Sequence, residues 1–185
     1  MSTKLDSPTG KEISSKSQAQ AFVEYIIRRC DADNGTRAAL RRADNPSTEY
    51  QSWDVLAGFH IDLASEGERL SHALVAADIA RTNTSKNGPV KIGQAIARSY
   101  QDGQNDDQAK AKLRRLLACD STSEAIRILR PLLRLFESRG AGPLDYVALL
   151  NDLRWFNREE SRARTKIRWA QSFYGRGSKE EENEA

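Results

Sequence analysis

Apolar residues recur at helical spacing along most of this 185-residue chain, and no stretch alternates apolar and polar as a half-buried strand would. The stretch Lys110–Phe156 carries the strongest pattern and is expected to be the element around which the rest is arranged. Within it, Ser121–Glu124 forms a capping box, a hydroxyl for an orphan helix N–H and a carboxylate three places on. Ile126, Leu129, Leu133 and Phe136 then share one side, which Ile128, Leu132 and Leu135 broaden. Pro131 lacks an N–H for the ladder and is expected to kink or divide this helix.

Upstream, Ser17–Gln20 predicts a second helix start, with Ala19, Phe22, Val23, Ile26 and Ile27 inward and a stop at Asn34–Gly35. Thr36–Ala43 predicts a short helix broken by Asn45–Pro46. Trp53, Leu56 and Phe59 fall at i, i+3 and i+6 and are read as core in preference to a base-stacking platform, and Leu70, Ala73, Leu74 and Ala77 as the inward face of a helix over 66–80. Lys91–Arg98 is a short helix whose Gly93 permits close backbone approach. Beyond the break at Gly140–Pro143, two more helices are expected. The first turns Tyr146, Leu149, Leu150 and Leu153 inward, and the second Ala163, Ile167, Ala170 and Tyr174.

The fold class is therefore all-α: a compact helical protein with an N-terminal helical lobe (17–105) packed on a C-terminal helical bundle (106–174). Polar residues 1–16 and the acidic stretch 175–185 are expected to be disordered tails. The start of the sequence has no apolar segment of a secretory signal, and no run of residues is apolar enough for a membrane span, so a cytoplasmic protein is expected.

Charge sharpens the picture. The net charge is +3, but Arg176–Ala185 carries two cations against four glutamates, leaving the remainder at +5. The cations are segregated: Lys110–Arg139 holds eight basic against three acidic residues, Arg28–Arg42 five against two, and Arg154–Arg168 six against two. Arg127, Arg130 and Arg134 form a stripe on one helix, and Arg37 and Arg41 lie one turn apart on another. Segregated positive charge without interleaved aromatics suits contacts to a polyanion backbone.

Enzymatic chemistry finds no support. No phosphate-cradling glycine motif is present, and neither Asp106–Asp107 nor Glu159–Glu160 makes an acid/base dyad, since adjacent helix residues face apart. His60 and His72 lack partners at ligand spacing, Asp31–Gly35 lacks a calcium loop's later ligands, and Cys30 and Cys119 read as buried thiols. No cofactor is expected.

Several pieces resemble a known family in order and spacing over roughly residues 20–174: Asp33–Gly35 with Ala38–Arg42, Ile92–Ala97, Leu129–Leu133, and Leu144–Tyr146 leading to Leu153–Phe156. The resemblance is to the CasB family, the small subunit of the type I-E CRISPR surveillance complex Cascade. It implies a non-catalytic, self-associating helical subunit. Such a subunit lines the complex beside the other Cascade subunits. There it stabilises the R-loop through the backbones of the crRNA–DNA hybrid and the displaced single-stranded DNA. Arg41, Arg42, Arg69, Arg98, Arg130 and Arg158 match the family's basic pattern, with Pro131 a departure where some relatives carry a second cation. Arg37, Lys91, Arg127 and Arg134 complete the candidate nucleic-acid-binding set. A purely structural interaction subunit and a sequence-specific helical DNA-binding regulator are the alternatives. The latter lacks a clear recognition helix after a short turn.

Overall fold

The computed structural model describes residues 10–175, with side chains from Gln18 onward. Nine α-helices make up the described residues: α1 (Gly10–Ala32), α2 (Asn34–Leu40), α3 (Trp53–Gly58), α4 (Glu66–Thr82), α5 (Ile92–Arg98), α6 (Asp107–Leu117), α7 (Thr122–Arg139), α8 (Tyr146–Arg154) and α9 (Glu159–Tyr174). Short 3-10 turns precede α3 and α6, and the only β pairing among these residues is an isolated bridge between Val90 and Leu144. None of these helices is long and apolar enough to cross a membrane. The acidic tail and most of the polar leader, both expected to be disordered, lie outside the described residues.

The central element is α4, not the 110–156 stretch. Every residue from Ser71 to Ala80 is buried, and α4 packs against α1, α2, α3, α7 and α8. Its small side chains let neighbours close in on all sides, so no amphipathic stripe advertises it. Each of its buried polar side chains makes a hydrogen bond, although His72 Nε2 has no partner among the described residues. The Ser71 hydroxyl donates to the Gly67 carbonyl at 2.6 Å, and the Tyr146 hydroxyl donates to Asp78 at 2.9 Å.

His72 donates from Nδ1 to the Glu68 carbonyl at 2.6 Å and lies edge-on to Phe22. Burial first, and the nearby Arg154 cation as well, lower its pKa to about 4 against the Glu68 contacts. A histidine with a depressed folded pKa contributes stability that is present above the unfolded value near 6.5 and is lost as pH falls toward 4. We expect a loss of about 2 kcal/mol between pH 7 and pH 5 from this group. Burial raises Asp78 and Asp152, which acts in the opposite direction. Urea melts of His72→Phe should show a flatter profile than wild type over that range. An unchanged slope would remove His72 as the cause.

Local signals hold in part. Glu124 N–H donates to Ser121 Oγ at 3.3 Å, as the capping box requires, while the Glu124 carboxylate reaches one residue further, to Asp120 N–H at 2.8 Å. Asp33 caps α2 instead of ending α1 through a left-handed residue: its carboxylate accepts from Gly35 N at 3.1 Å and Thr36 N at 2.7 Å. The backbone is helical from Gly10, so Ser17 falls inside α1 and is not its cap. Helix α7 runs undivided through Pro131, whose ring is exposed and leaves the Arg127 carbonyl without its helical donor.

Inward assignments fail on two helices, α3 and α9. Trp53 is 39% exposed while Leu56 is buried. On α9 the buried residues are Thr165, Trp169 and Phe173, and Ala163, Ile167 and Tyr174 face out. Asp152 of α8 explains the rotation: its carboxylate accepts from the Trp169 indole at 2.8 Å, from Thr165 Oγ1 at 3.4 Å and from Arg168. A satisfied buried carboxylate draws polar Thr165 inward.

Candidate nucleic-acid interface

Three of the ten candidate cations meet. Arg41 caps the C-terminus of α2, and its Nε donates to the Ala80 carbonyl near the end of α4 at 3.1 Å. Arg130 and Arg134 of α7 approach Asp44 at 3.8 and 3.9 Å. Arg81, in the last turn of α4 and one residue past the helix expected over 66–80, joins them at 3.4 Å from Asp44 and 3.1 Å from Asp78. Three guanidiniums therefore face the buried Asp44 carboxylate, and Arg81 also holds Asp78, while Arg41 sits on the adjoining Ala80 carbonyl; the four cations outnumber these two carboxylates and the nearby Glu137. The Asp44 side chain is 1% exposed, whereas Arg134 remains 59% exposed. The carboxylate thus lies beneath the guanidiniums and out of reach of a ligand.

Two more candidates adjoin this facet. Arg42 follows Arg41, is exposed, and makes no side-chain hydrogen bond or ion pair among the described residues. Arg127 is exposed one turn before Arg130 on α7.

The remaining five lie elsewhere. Arg37 donates to the Cys30 carbonyl from Nε at 3.1 Å and Nη2 at 2.7 Å, with Asp31 at 3.8 Å, so it closes the end of α1. Arg69 donates to the Leu63 carbonyl at 2.6 Å and pairs with Glu49 at 3.5 Å. Arg158 lies over the Trp155 ring at 4.1 Å. Lys91, exposed at the head of α5, lines a cleft with Gln94, Arg168, Gln171 and Ser172. Arg98 lies at the other end of α5, where Arg139 donates to the Ser99 carbonyl at 3.1 Å. The arginines of distant segments thus make one convergent facet, and of the other five candidates Arg37, Arg69 and Arg158 are held by partners on other elements.

The sequence pattern could have found Arg81, because Asp78 stands three residues before it, an ion-pair spacing on a helix. Nothing in the pattern places Asp44, which sits in a turn. Among the described residues no group of three histidines, cysteines or carboxylates is arranged to hold a metal ion.

Helices around a buried α4, with a guanidinium facet where α2, α4 and α7 meet, define an all-helical protein with a site suited to anions. Residues 36–174 match the family described as CRISPR-associated protein Cse2, and the chain belongs to that family. The CRISPR-associated protein Cse2 of Thermus thermophilus is 36% identical over 117 residues, 62% of this chain. That match likewise spans 62% of the relative's own length. The crystal structure of M. ruber CasB is similar with a TM-score of 0.68 at 25% identity, covering 85% of this chain and 92% of that one. A chain of a CRISPR RNA-guided surveillance complex has the same fold, with a TM-score of 0.64 at 20% identity over 86% of this chain and 92% of its own.

Proposed function

We propose that this chain is a non-catalytic subunit of a Cascade-type CRISPR surveillance complex. In this reading it binds the sugar–phosphate backbone of the displaced DNA strand and the guide–target duplex, stabilising the R-loop beside the other subunits. The observation that carries the reading is the convergence of Arg41, Arg130 and Arg134 from two helices onto one facet. Guanidiniums held by backbone and buried carboxylates present their remaining donors outward, which suits phosphates and reads no sequence. Membership of a CRISPR-associated family, and a neighbour that is part of an RNA-guided surveillance complex, support the assembly.

The test is the salt dependence of single-strand binding. Replacing Arg41, Arg130 and Arg134 together with glutamine is expected to flatten the log–log slope by about 2, at about 0.7 per lost phosphate contact. Arg37→Gln serves as the control. Its guanidinium is occupied at Cys30, and the slope should not change. A triple variant that binds with the wild-type slope would remove this facet from the interface. Self-association of the subunit belongs to the same proposal: a monomer by sedimentation at every concentration, and a single copy in the assembled complex, would refute it.

A further inference from the structure

Tyr50 and Trp53 are left outside the core, at 59% and 39% exposure. They stand three residues apart across the junction of the 3-10 turn Glu49–Ser52 and α3, where the Trp53 N–H bonds to the Tyr50 carbonyl. Residues at this spacing lie on one side of a helical turn, so the two rings share a face. They differ from the other tryptophans: Trp169 is buried, and Trp155 lies under the guanidinium of Arg158.

Basic residues stand close to the pair along the chain. The chain enters this turn from Arg41 and Arg42, and the Arg42 carbonyl accepts from Thr48 Oγ1 at 3.0 Å, which folds Arg42 back beside the start of the turn. The carboxylates that could repel an anion are mostly spent. Arg69 holds Glu49 at 3.5 Å, and Asp44 is buried under its arginines. Asp54 is exposed, but it lies about 100° round the helix from Trp53. Exposed aromatic faces beside unpaired cations are the two components of a sequence-tolerant site for single-stranded nucleic acid.

We infer that Tyr50 and Trp53 form a stacking platform for unpaired bases, with Arg42 holding a phosphate of the same strand. The inference rests on the strand-binding reading and adds to it a contact with the bases themselves. Duplex bases are already stacked, so the platform selects the displaced single strand over the guide–target duplex.

The full-length protein is titrated with an oligothymidylate and with an abasic strand of equal length and equal phosphate count. Wild type is expected to bind the thymidylate at least about tenfold more tightly than the abasic strand, and its tryptophan fluorescence to be quenched by the thymidylate alone. In the double variant Tyr50→Ala, Trp53→Ala the ratio should fall to within about twofold with the salt slope unchanged. Trp53→Phe should restore most of the ratio. Equal wild-type binding of the two strands, with a slope still sensitive to the arginines, would overturn the platform and leave the backbone clamp standing. No wild-type binding to either strand at low salt would overturn both. A double variant that keeps the ratio but no longer assembles with its companion subunits would make the rings a protein contact and end the proposal.

Discussion

Gly93→Ala is expected to destabilise the protein by about 3 kcal/mol, lowering Tm by about 10 °C. Helix α5 crosses α9 at this glycine. A Cβ there would stand 2.2 Å from the Trp169 carbonyl oxygen, 2.3 Å from Ser172 Oγ and 2.5 Å from the Phe173 nitrogen. Ser172 can rotate away, but two of the three atoms are backbone, so only a separation of the helices relieves the clash. Separation would loosen Trp169 and Phe173 together, both buried at this contact. Gly35→Ala is the informative control. Its Cβ would meet only the Asp33 carboxylate at 3.4 Å or beyond, and Gly35 lies in a helix at negative φ. A change between neutral and a gain of about 1 kcal/mol is expected there. A Tm for Gly93→Ala within about two degrees of wild type would mean that α5 and α9 are not in backbone contact.

The contrast between α7 and α9 shows what could be read from the chain. On α7 the apolar face is broad, its cap is local, and Ile126, Leu129, Leu133 and Phe136 are buried as the periodicity demands. On α9 the same reading selects Ile167 and Tyr174, which face out, and passes over Thr165. Periodicity counts apolar side chains, but the inner face of α9 is set by a carboxylate on another helix and by room made at Gly93. Periodicity undervalues α4 for a related reason: alanine carries little hydropathy, yet its size allows neighbours to approach from every side.

The candidate site was legible to a similar depth. Which residues are cationic, and that Arg130 and Arg134 share a stripe with Arg127, can be read directly from the order. Direction cannot, because it depends on acceptors from distant elements. Arg37 and Arg69 are consumed by nearby carbonyls, whereas Arg130 and Arg134 turn toward Asp44. The family resemblance placed Arg41 and Arg130 in one set without distinguishing them from Arg69, whose guanidinium is engaged inside the fold.

Asp44→Ala should expose the logic of the arginine facet. The carboxylate lies within 3.4–3.9 Å of three guanidiniums and is almost wholly buried. Its removal leaves three like charges side by side over a small void. Breaking a buried pair costs roughly 3–5 kcal/mol, and because Arg134 and part of Arg130 reach water, a loss near the lower end, about 3 kcal/mol, is expected. The consequence for binding has the opposite sign. A phosphate seated on the facet would supply the negative charge that the variant lacks, so nucleic acid should stabilise Asp44→Ala more than it stabilises wild type. An added gain of about 1 kcal/mol corresponds to roughly 2–4 °C in Tm at saturating oligonucleotide. The measurement is a pair of thermal melts for each protein, with and without a single-stranded oligonucleotide, at low salt and again at high salt. The extra gain should disappear at high salt, where counterions screen the facet. Equal shifts in the two proteins at low salt would place the strand away from Asp44 and its arginines, whatever the overall affinity.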